Sequence, residues 1–428
     1  MPAKVGHWAA PVPAAQTPLP AVRELLGERD YLCFWASRWM NGLGVQIQSV
    51  AMGWQVYELS RQAHLSINYA SFNVSLIGLI TFAPLFFLAL PAGVAADRYD
   101  RRRVLTFCYL AEMVPSSILA AGELFHFASV ALFLSVAVIF GFSRAFSSPA
   151  STALGPMLVP RLLLPRAIAW NSLAGQLAQI VGPAVAGVLV ALDPAAAFLA
   201  AFGLYLGALV AISFIRGVTR PQTQPGSRWT LVKEGLAYVW TNRVVFGAIS
   251  LDLAAVILGG ATALLPAFAR DVLKVGPEGF GLFRSALAVG AAAMALYLSM
   301  RPVRSHAGLK MFAGVAIYAI ATVIFGLSRT LWLSLAAMAS LGAADMLSVF
   351  VRATLVQLVT PDAMRGRVAA VSTLFVSASN ELGEFRGGLV ARFIGPVNAV
   401  VYGGIGALVV TGVWARLFPA LRTADRLE

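Results

Sequence analysis

Charged side chains interrupt an otherwise apolar sequence at Arg38, Glu112, Arg144, Asp252, Arg284, Asp345, Arg352, Glu381, Glu384 and Arg386. A charge at mid-bilayer costs ~2.5–3.5 kcal/mol, so each of these needs a cavity or a partner. Two kinds of chemistry suit such groups: gripping a polar substrate, and loading and releasing a proton. A structural pair between helices is the alternative for each. Glu381 and Glu384, in SNELGEFRGG, are spaced to share one helix face. Two close carboxylates in a low-dielectric site cannot both ionise cheaply, which suits a proton carrier. Arg386 lies two residues further on and points elsewhere. On the first apolar run, Arg38, Asn41, Gln48 and Gln55 fall within about 100° of arc. That polar stripe must face water or protein. No metal or cofactor is expected. The histidines (His7, His64, His126, His306) are scattered, and Cys33 and Cys108 have no metal-ligand spacing. The GxxxxGK[ST] phosphate loop is absent, which excludes a self-contained ATP-driven pump.

The elements that hold these residues are membrane spans. The chain is 59% hydrophobic and 12% charged, with a mean hydropathy of +0.78. Soluble globular proteins carry about 45–50% apolar and about 25% charged residues. A spanning helix takes ~20 apolar residues, and twelve spans with short loops use most of the chain. The pattern predicts an all-α polytopic membrane protein. It comprises a tail (1–30, with a short surface helix over Ala21 to Asp30), a six-helix bundle (31–215), a linker (216–243), a second six-helix bundle (244–416) and a C-terminal tail (417–428). The first twenty residues are Pro/Ala-rich and do not read as a signal peptide.

The formal charge of +13 is spread over many short gaps between apolar runs. It does not form the single basic stripe of a nucleic-acid binder. Outside the spans, only Arg61, Arg270, Lys274, Arg329 and Arg392 fall on the side opposite the termini. The positive-inside rule therefore puts both termini and the linker in the cytoplasm. The halves also repeat. Pro160, Arg166, Gly182 and Gly187 recur in one gapless register as Pro361, Arg367, Gly383 and Gly388. Arg144 and Asp345 are related by the same shift, with opposite charge. Parallel six-helix repeats place substrate between the halves near the midplane.

Between the second and third spans lies GVAADRYDRRRV, Gly93 to Val104. It resembles the signature loop of the major facilitator superfamily, roughly G-x-L-a-D-R-x-G-R-R/K. Gly93, Asp97, Arg98, Arg101 and Arg102 match; Ala95 replaces the usual Leu and Asp100 the usual Gly. In the fifth span, IVGPAVAG, with Gly182, Pro183 and Gly187, resembles the Gly-Pro motif of antiporters in that superfamily. Arg144 in FGFSRAF resembles its fourth-span arginine. The resemblance runs from RWMNGLG through PDAMRGRVAAV, and within the superfamily the chain is similar to bacterial siderophore exporters and related drug efflux proteins.

That resemblance implies two pseudo-symmetric bundles with the cavity lined by spans one, four, seven and ten. The implied substrate and proton pathway is Arg38, Asn41, Gln48, Arg144, Asp252, Asp345, Glu381 and Glu384. It implies a loop that ties the halves together in the outward-facing state. Physically, the loop arginines suit the anionic leaflet, and Asp97 suits the positive end of a neighbouring helix. Gly182, Pro183 and Gly187 allow close helix approach. The implied protein is a monomer in a bacterial inner membrane, exporting a siderophore-like or drug-like small molecule by alternating access in exchange for protons. An importer, or a non-transporting receptor or assembly factor, fits the same scaffold. A membrane-embedded enzyme does not, because no long extramembrane loop clusters Asp, His or Ser.

Overall fold

The computed structural model describes residues 22–217, 219, 228–301 and 306–422. The N-terminal tail through residue 21, residues 218 and 220–227 of the linker, and 423–428 of the C-terminal tail lie outside the described residues. Long helices follow one another: α1 Arg29–Gln62, α2 Ile67–Arg98, α3 Arg101–Leu124, α4 Val130–Leu154, α5 Leu164–Leu192 and α6 Pro194–Ser213. After the linker come α7 Arg243–Gly259, α8 Gly276–Met300, α9 Ala307–Leu327, α10 Leu331–Val359, α11 Asp362–Ile394 and α12 Pro396–Leu417. Among the described residues, ten segments are long and apolar enough to cross a membrane. The other two long helices, α1 and α11, carry most of the polar residues singled out above, which is why composition alone does not select them.

Polar residues at the breaks start the helices. Ser66 accepts from the Tyr69 N–H, Ser129 from Leu132, Asp193 from Ala195, and Asn242 from both Val244 and Val245. Each cap satisfies a backbone donor that the helix leaves open. A six-residue helix, Val22–Gly27, precedes α1. The linker holds a helix of its own, Arg228–Thr241. Glu234 on it pairs with Arg367 of α11, and the Tyr238 hydroxyl donates to the Val359 carbonyl at 2.9 Å.

The seventh span does not stay regular. After Gly259–Gly260 the chain makes a 3-10 turn at Thr262–Leu264, passes Pro266, and ends in a π turn at Phe268–Val272. Gly260 lets α11 in: a methyl there would lie 2.8 Å from the Gly383 carbonyl carbon. Irregular backbone at membrane depth is tolerated where protein buries it or where it lines a cavity.

The two halves pack on each other through α2 against α11 and α5 against α8. The sequence repeat is visible here. A methyl on Gly187 would lie 2.7 Å from the Pro277 carbonyl, and one on Gly388 3.2 Å from the Ser71 carbonyl. The repeat-related glycines thus both lie at close approaches between the halves. Gly182 and Gly383 do the same within each half: one lies against Gln46 of α1, the other against Val256 of α7. Pro183 is buried beside Gly182 in α5.

Packing differs between the two ends of the bundle. At the end that carries Arg29 and Arg422, each half has its own core. One is built on Tyr31, Phe34, Leu105 and Ile212, the other on Met311, Phe312, Val351 and Leu355. At the far end a single core joins both halves, from Tyr57, Phe133 and Phe198 to Phe268, Phe280 and Phe325. The bundle is sealed at the far end and divided at the terminal end.

Candidate functional site

A cavity of about 180 Å³ lies on the plane between the halves, lined from α1, α2, α4, the irregular seventh span, α8 and α11. Glu381 and Glu384 both line it, as two acids on one helix face must. They point at α2 of the other half: a methyl on Gly78 would lie 3.2 Å from Glu381 Oε2 and 3.6 Å from Glu384 Oε2. The break in the seventh span brings Thr262 to the acids, and its hydroxyl donates to Glu384 Oε1 at 2.5 Å. Arg284 of α8 lies within electrostatic reach of both glutamates and of Arg144. Arg144 lies within reach of Glu381. Two acids and two guanidiniums, drawn from three helices and both halves, therefore line one cavity.

A second cavity, of about 340 Å³, continues toward the terminal end between α1, α3, α4 and α5. Val45, Gln46 and Arg144 line both cavities, so the two meet at Arg144. The Arg144 guanidinium sits 5.8 Å from the centre of the Phe140 ring, within cation–π range. Arg38 lines the second cavity and donates from Nη1 to Ser151 Oγ at 2.9 Å. Asn41 lines it too, and its amide donates to Glu112. Glu112 has no exposed surface and also accepts from Ser143 at 3.1 Å. It aims Asn41 from behind the cavity wall.

The far end is closed by contacts between the halves. Glu58 of α1 pairs with Arg270 at 2.7 Å, and Arg61 with Asp271 at 3.4 Å. The Tyr57 hydroxyl donates to Asp271 at 2.5 Å. The second closure joins α2 to α11: the Arg392 guanidinium lies 4.8 Å from the Tyr69 ring centre and 5.1 Å from that of Phe72. The Asn68 side-chain amide donates to the Arg392 carbonyl at 3.3 Å.

Other residues singled out in the sequence lie away from this space. Asp252 pairs with Arg352 at 3.1 Å, with side chains 6% and 4% exposed. Asp345 lines a crevice of about 10 Å³ with Asp252, Tyr318 and Ser348 inside the second half. Spans seven and ten thus contribute a buried polar knot, and the acids that line the central cavity come from α11. Gln48 is fully buried and accepts from Ser116 at 2.6 Å. The stripe on α1 therefore faces neighbouring helices at Gln48 and the cavity at Arg38 and Asn41. Arg284, named among the intramembrane charges but not placed on the pathway, lines the central cavity, and Gln46, Thr262, Ser151 and Gln179 are lining residues that sequence reasoning did not single out. Arg284 carried the same signal as Arg144, a lone charge in an apolar run. Gln46 carried none, since it lies off the stripe. Arg386 donates to the Leu258 carbonyl at 2.5 Å, away from Glu384.

The loop between α2 and α3 is held to its own half. Gly93 is buried and Asp97 and Arg98 are exposed. Arg101 donates to the Ala96 and Ala153 carbonyls at 3.1 and 2.9 Å. Arg102 donates to the Ser213 and Ile215 carbonyls, each at 2.6 Å. Asp100, which stands where the superfamily pattern has Gly, caps α3 through the Arg102 N–H at 3.0 Å. It also accepts from Thr219 at 2.6 Å.

The chain is similar to known transporters along nearly its whole length. It is 26% identical over 403 residues to the multidrug efflux pump Tap of Mycobacterium tuberculosis (strain ATCC 25618 / H37Rv), covering 90% of this chain and 92% of that one. It is 25% identical over 346 residues to the enterobactin exporter EntS of Escherichia coli O9:H4 (strain HS), covering 80% and 83%. Among solved structures, a D-xylose-proton symporter superposes with a TM-score of 0.69 at 15% identity, covering 91% of this chain and 98% of that one. A bacterial homologue of the human lysosomal transporter Spinster superposes with a TM-score of 0.67 at 15% identity, covering 95% and 97%. These two establish the fold. Residues 26–427 match the family described as transmembrane secretion effectors, and the chain belongs to that family of the major facilitator superfamily.

Proposed function

We propose that the protein is a secondary active exporter of the bacterial inner membrane. It moves a small organic molecule outward by alternating access in exchange for protons. The observation that carries this reading is the glutamate pair at the plane between the halves, where a swing of one bundle against the other changes the side to which the acids are open. Glu381 and Glu384 are the proton carriers in this reading. Thr262 and Arg284 position them, and Arg144 links them to the cavity that opens toward the termini. With both termini cytoplasmic, that cavity is the loading side, and the state described here awaits cargo from the cytoplasm. The outward direction draws on the two relatives, one named a multidrug efflux pump and the other an enterobactin exporter. The protein acts as a monomer, since each bundle's partner across the cavity is the other bundle.

Inside-out vesicles from overproducing cells test the reading. A respiration-driven pH gradient is set up, and catecholate siderophores and cationic drugs are added in turn. A transported compound discharges the gradient with the wild-type protein and not with the Glu381→Gln/Glu384→Gln variant. Discharge that is equal in both would remove the glutamates from coupling. Fusion reporters on either terminus that read periplasmic would reverse the loading side.

A further inference from the structure

We propose that the cavity between α1, α3, α4 and α5 is a seat for an organic oxyanion, gripped by Arg38 and Arg144. The proposal rests on the transport reading above and names the cargo's charge. Two guanidiniums line this space, and among the described residues no aspartate or glutamate does. Arg38 makes one hydrogen bond, to the neutral Ser151, which leaves the rest of its planar fork for a ligand. Such a fork matches the two oxygens of a carboxylate. A guanidinium at membrane depth with only a neutral protein partner is costly unless water or an anion compensates it.

The α4 wall adds hydroxyls at helical spacing. Ser147, Ser148, Ser151 and Thr152 all line the cavity. Ser147 and Thr152 donate to carbonyls of their own helix. Ser151 accepts from Arg38, so its own hydrogen is free to point at a bound oxyanion. A cationic cargo would meet two like charges here. Glu112 lies behind the wall, taken up by Asn41 and Ser143 and within reach of Arg144, and Glu381 and Glu384 lie in the adjoining space beyond Arg144. In a cell with a negative interior, charge on an anionic cargo also favours its exit.

The test uses the full-length protein in lipid nanodiscs and in proteoliposomes, with two probes of opposite charge: carboxyfluorescein, an anion, and ethidium, a cation. Fluorescence anisotropy is expected to show saturable binding of carboxyfluorescein and little of ethidium. Arg38→Gln is expected to weaken carboxyfluorescein binding about ten- to hundredfold, Arg38→Lys less, and Ser151→Ala a few-fold. Ser151→Ala removes only the hydroxyl that Arg38 uses, which guards against a fold lost with the arginine. Flux assays separate this inference from the transport reading. If ethidium is carried and carboxyfluorescein is neither bound nor carried, the anion seat is wrong and transport stands. If carboxyfluorescein binds through Arg38 but neither probe moves, the seat stands and the transport reading fails. Equal affinity for both probes would overturn the proposal.

Discussion

The first and fourth helices of each half meet at a polar contact, and the two contacts are opposites. In the N-terminal half, Arg38 and Ser151 touch at 2.9 Å on the wall of a cavity of about 340 Å³. In the C-terminal half, Asp252 and Arg352 touch at 3.1 Å with almost no exposed surface. One is a charge held by a neutral hydroxyl beside open space. The other is an ion pair sealed in protein. Repeat-related frames therefore need not carry repeat-related chemistry. The first half keeps a seat between its helices, while the second fills the equivalent region and offers its acids from α11 at the dividing plane. The glycines kept in register position the helices in both halves, and the charges have diverged around them.

Breaking the sealed pair has the largest expected effect on stability. Arg352→Met leaves Asp252 and Asp345 together in a closed space and should cost about 3–5 kcal/mol, the usual penalty for an orphaned buried charge. Asp252→Asn should cost less, because Arg352 keeps Asp345 as a neighbour. The measurement is the melting temperature of purified protein in detergent. The double variant Asp252→Asn/Arg352→Met should recover part of the loss. Arg38→Gln, the matching change in the open contact, should leave melting nearly unchanged. If both arginine variants melt alike, the contrast between the halves fails.

Neutralising the acids sharpens the same contrast in function. Glu381→Gln or Glu384→Gln is expected to reduce gradient-driven flux to the level of protein-free liposomes and leave substrate counterflow measurable. Asp345→Asn and Asp252→Asn are expected to retain gradient-driven flux in whatever protein folds. The assay is flux in proteoliposomes with and without an imposed pH gradient. Should all four variants keep full driven flux, none of these four acids couples transport to protons.

The sequence made some of this legible and hid the rest for physical reasons. Apolar periodicity and the caps at Ser66, Ser129 and Asp193 mark helices because each is a local effect. The repeat was legible because Gly187 and Gly388 are fixed by close approach between the halves, which no other residue type allows. The shared face of Glu381 and Glu384 followed from helix geometry alone. What could not be read was which neighbour each face meets. Asp252 and Asp345 sit on spans seven and ten, yet packing turns them inward to Arg352 and Tyr318. Gln48 lies on the same stripe as Arg38, yet α3 covers it. The break in the seventh span had a visible signal, the Gly259–Gly260 pair followed by Pro266, but Thr262 became a partner of Glu384 only in three dimensions.

The closure at the far end sets a smaller effect. Glu58–Arg270 and Arg61–Asp271 are partly exposed pairs, and such pairs contribute about 0.2–1 kcal/mol each. Glu58→Gln and Asp271→Asn should therefore shift the population toward a state open at the far end by up to about fivefold each. Double electron–electron resonance between spin labels on the ends of α1 and the seventh span reads this directly. An unchanged distance distribution would mean that the joint apolar core, not the ion pairs, holds that end shut.

An effect of similar size comes from the loop at the opposite end, and it should carry the opposite sign. In this state Asp100, Arg101 and Arg102 hold the loop to its own half, and Asp97 is exposed within electrostatic reach of Arg101. If Asp97 meets the positive end of a helix only when the terminal end closes, that contact favours the closed-terminal state by about 0.3–1 kcal/mol. Asp97→Asn leaves the arginines that fix membrane orientation in place. It should insert normally and shift the population further toward the state seen here, slowing turnover by up to about fivefold. The same spin labels should report the far end closed more often, where Glu58→Gln reports it open more often. A protein carrying both changes should then return toward the wild-type distribution, because the two act on one equilibrium from its two ends. A well-expressed Asp97→Asn protein with wild-type turnover would leave the loop as an anchor of topology, with no part in the gate.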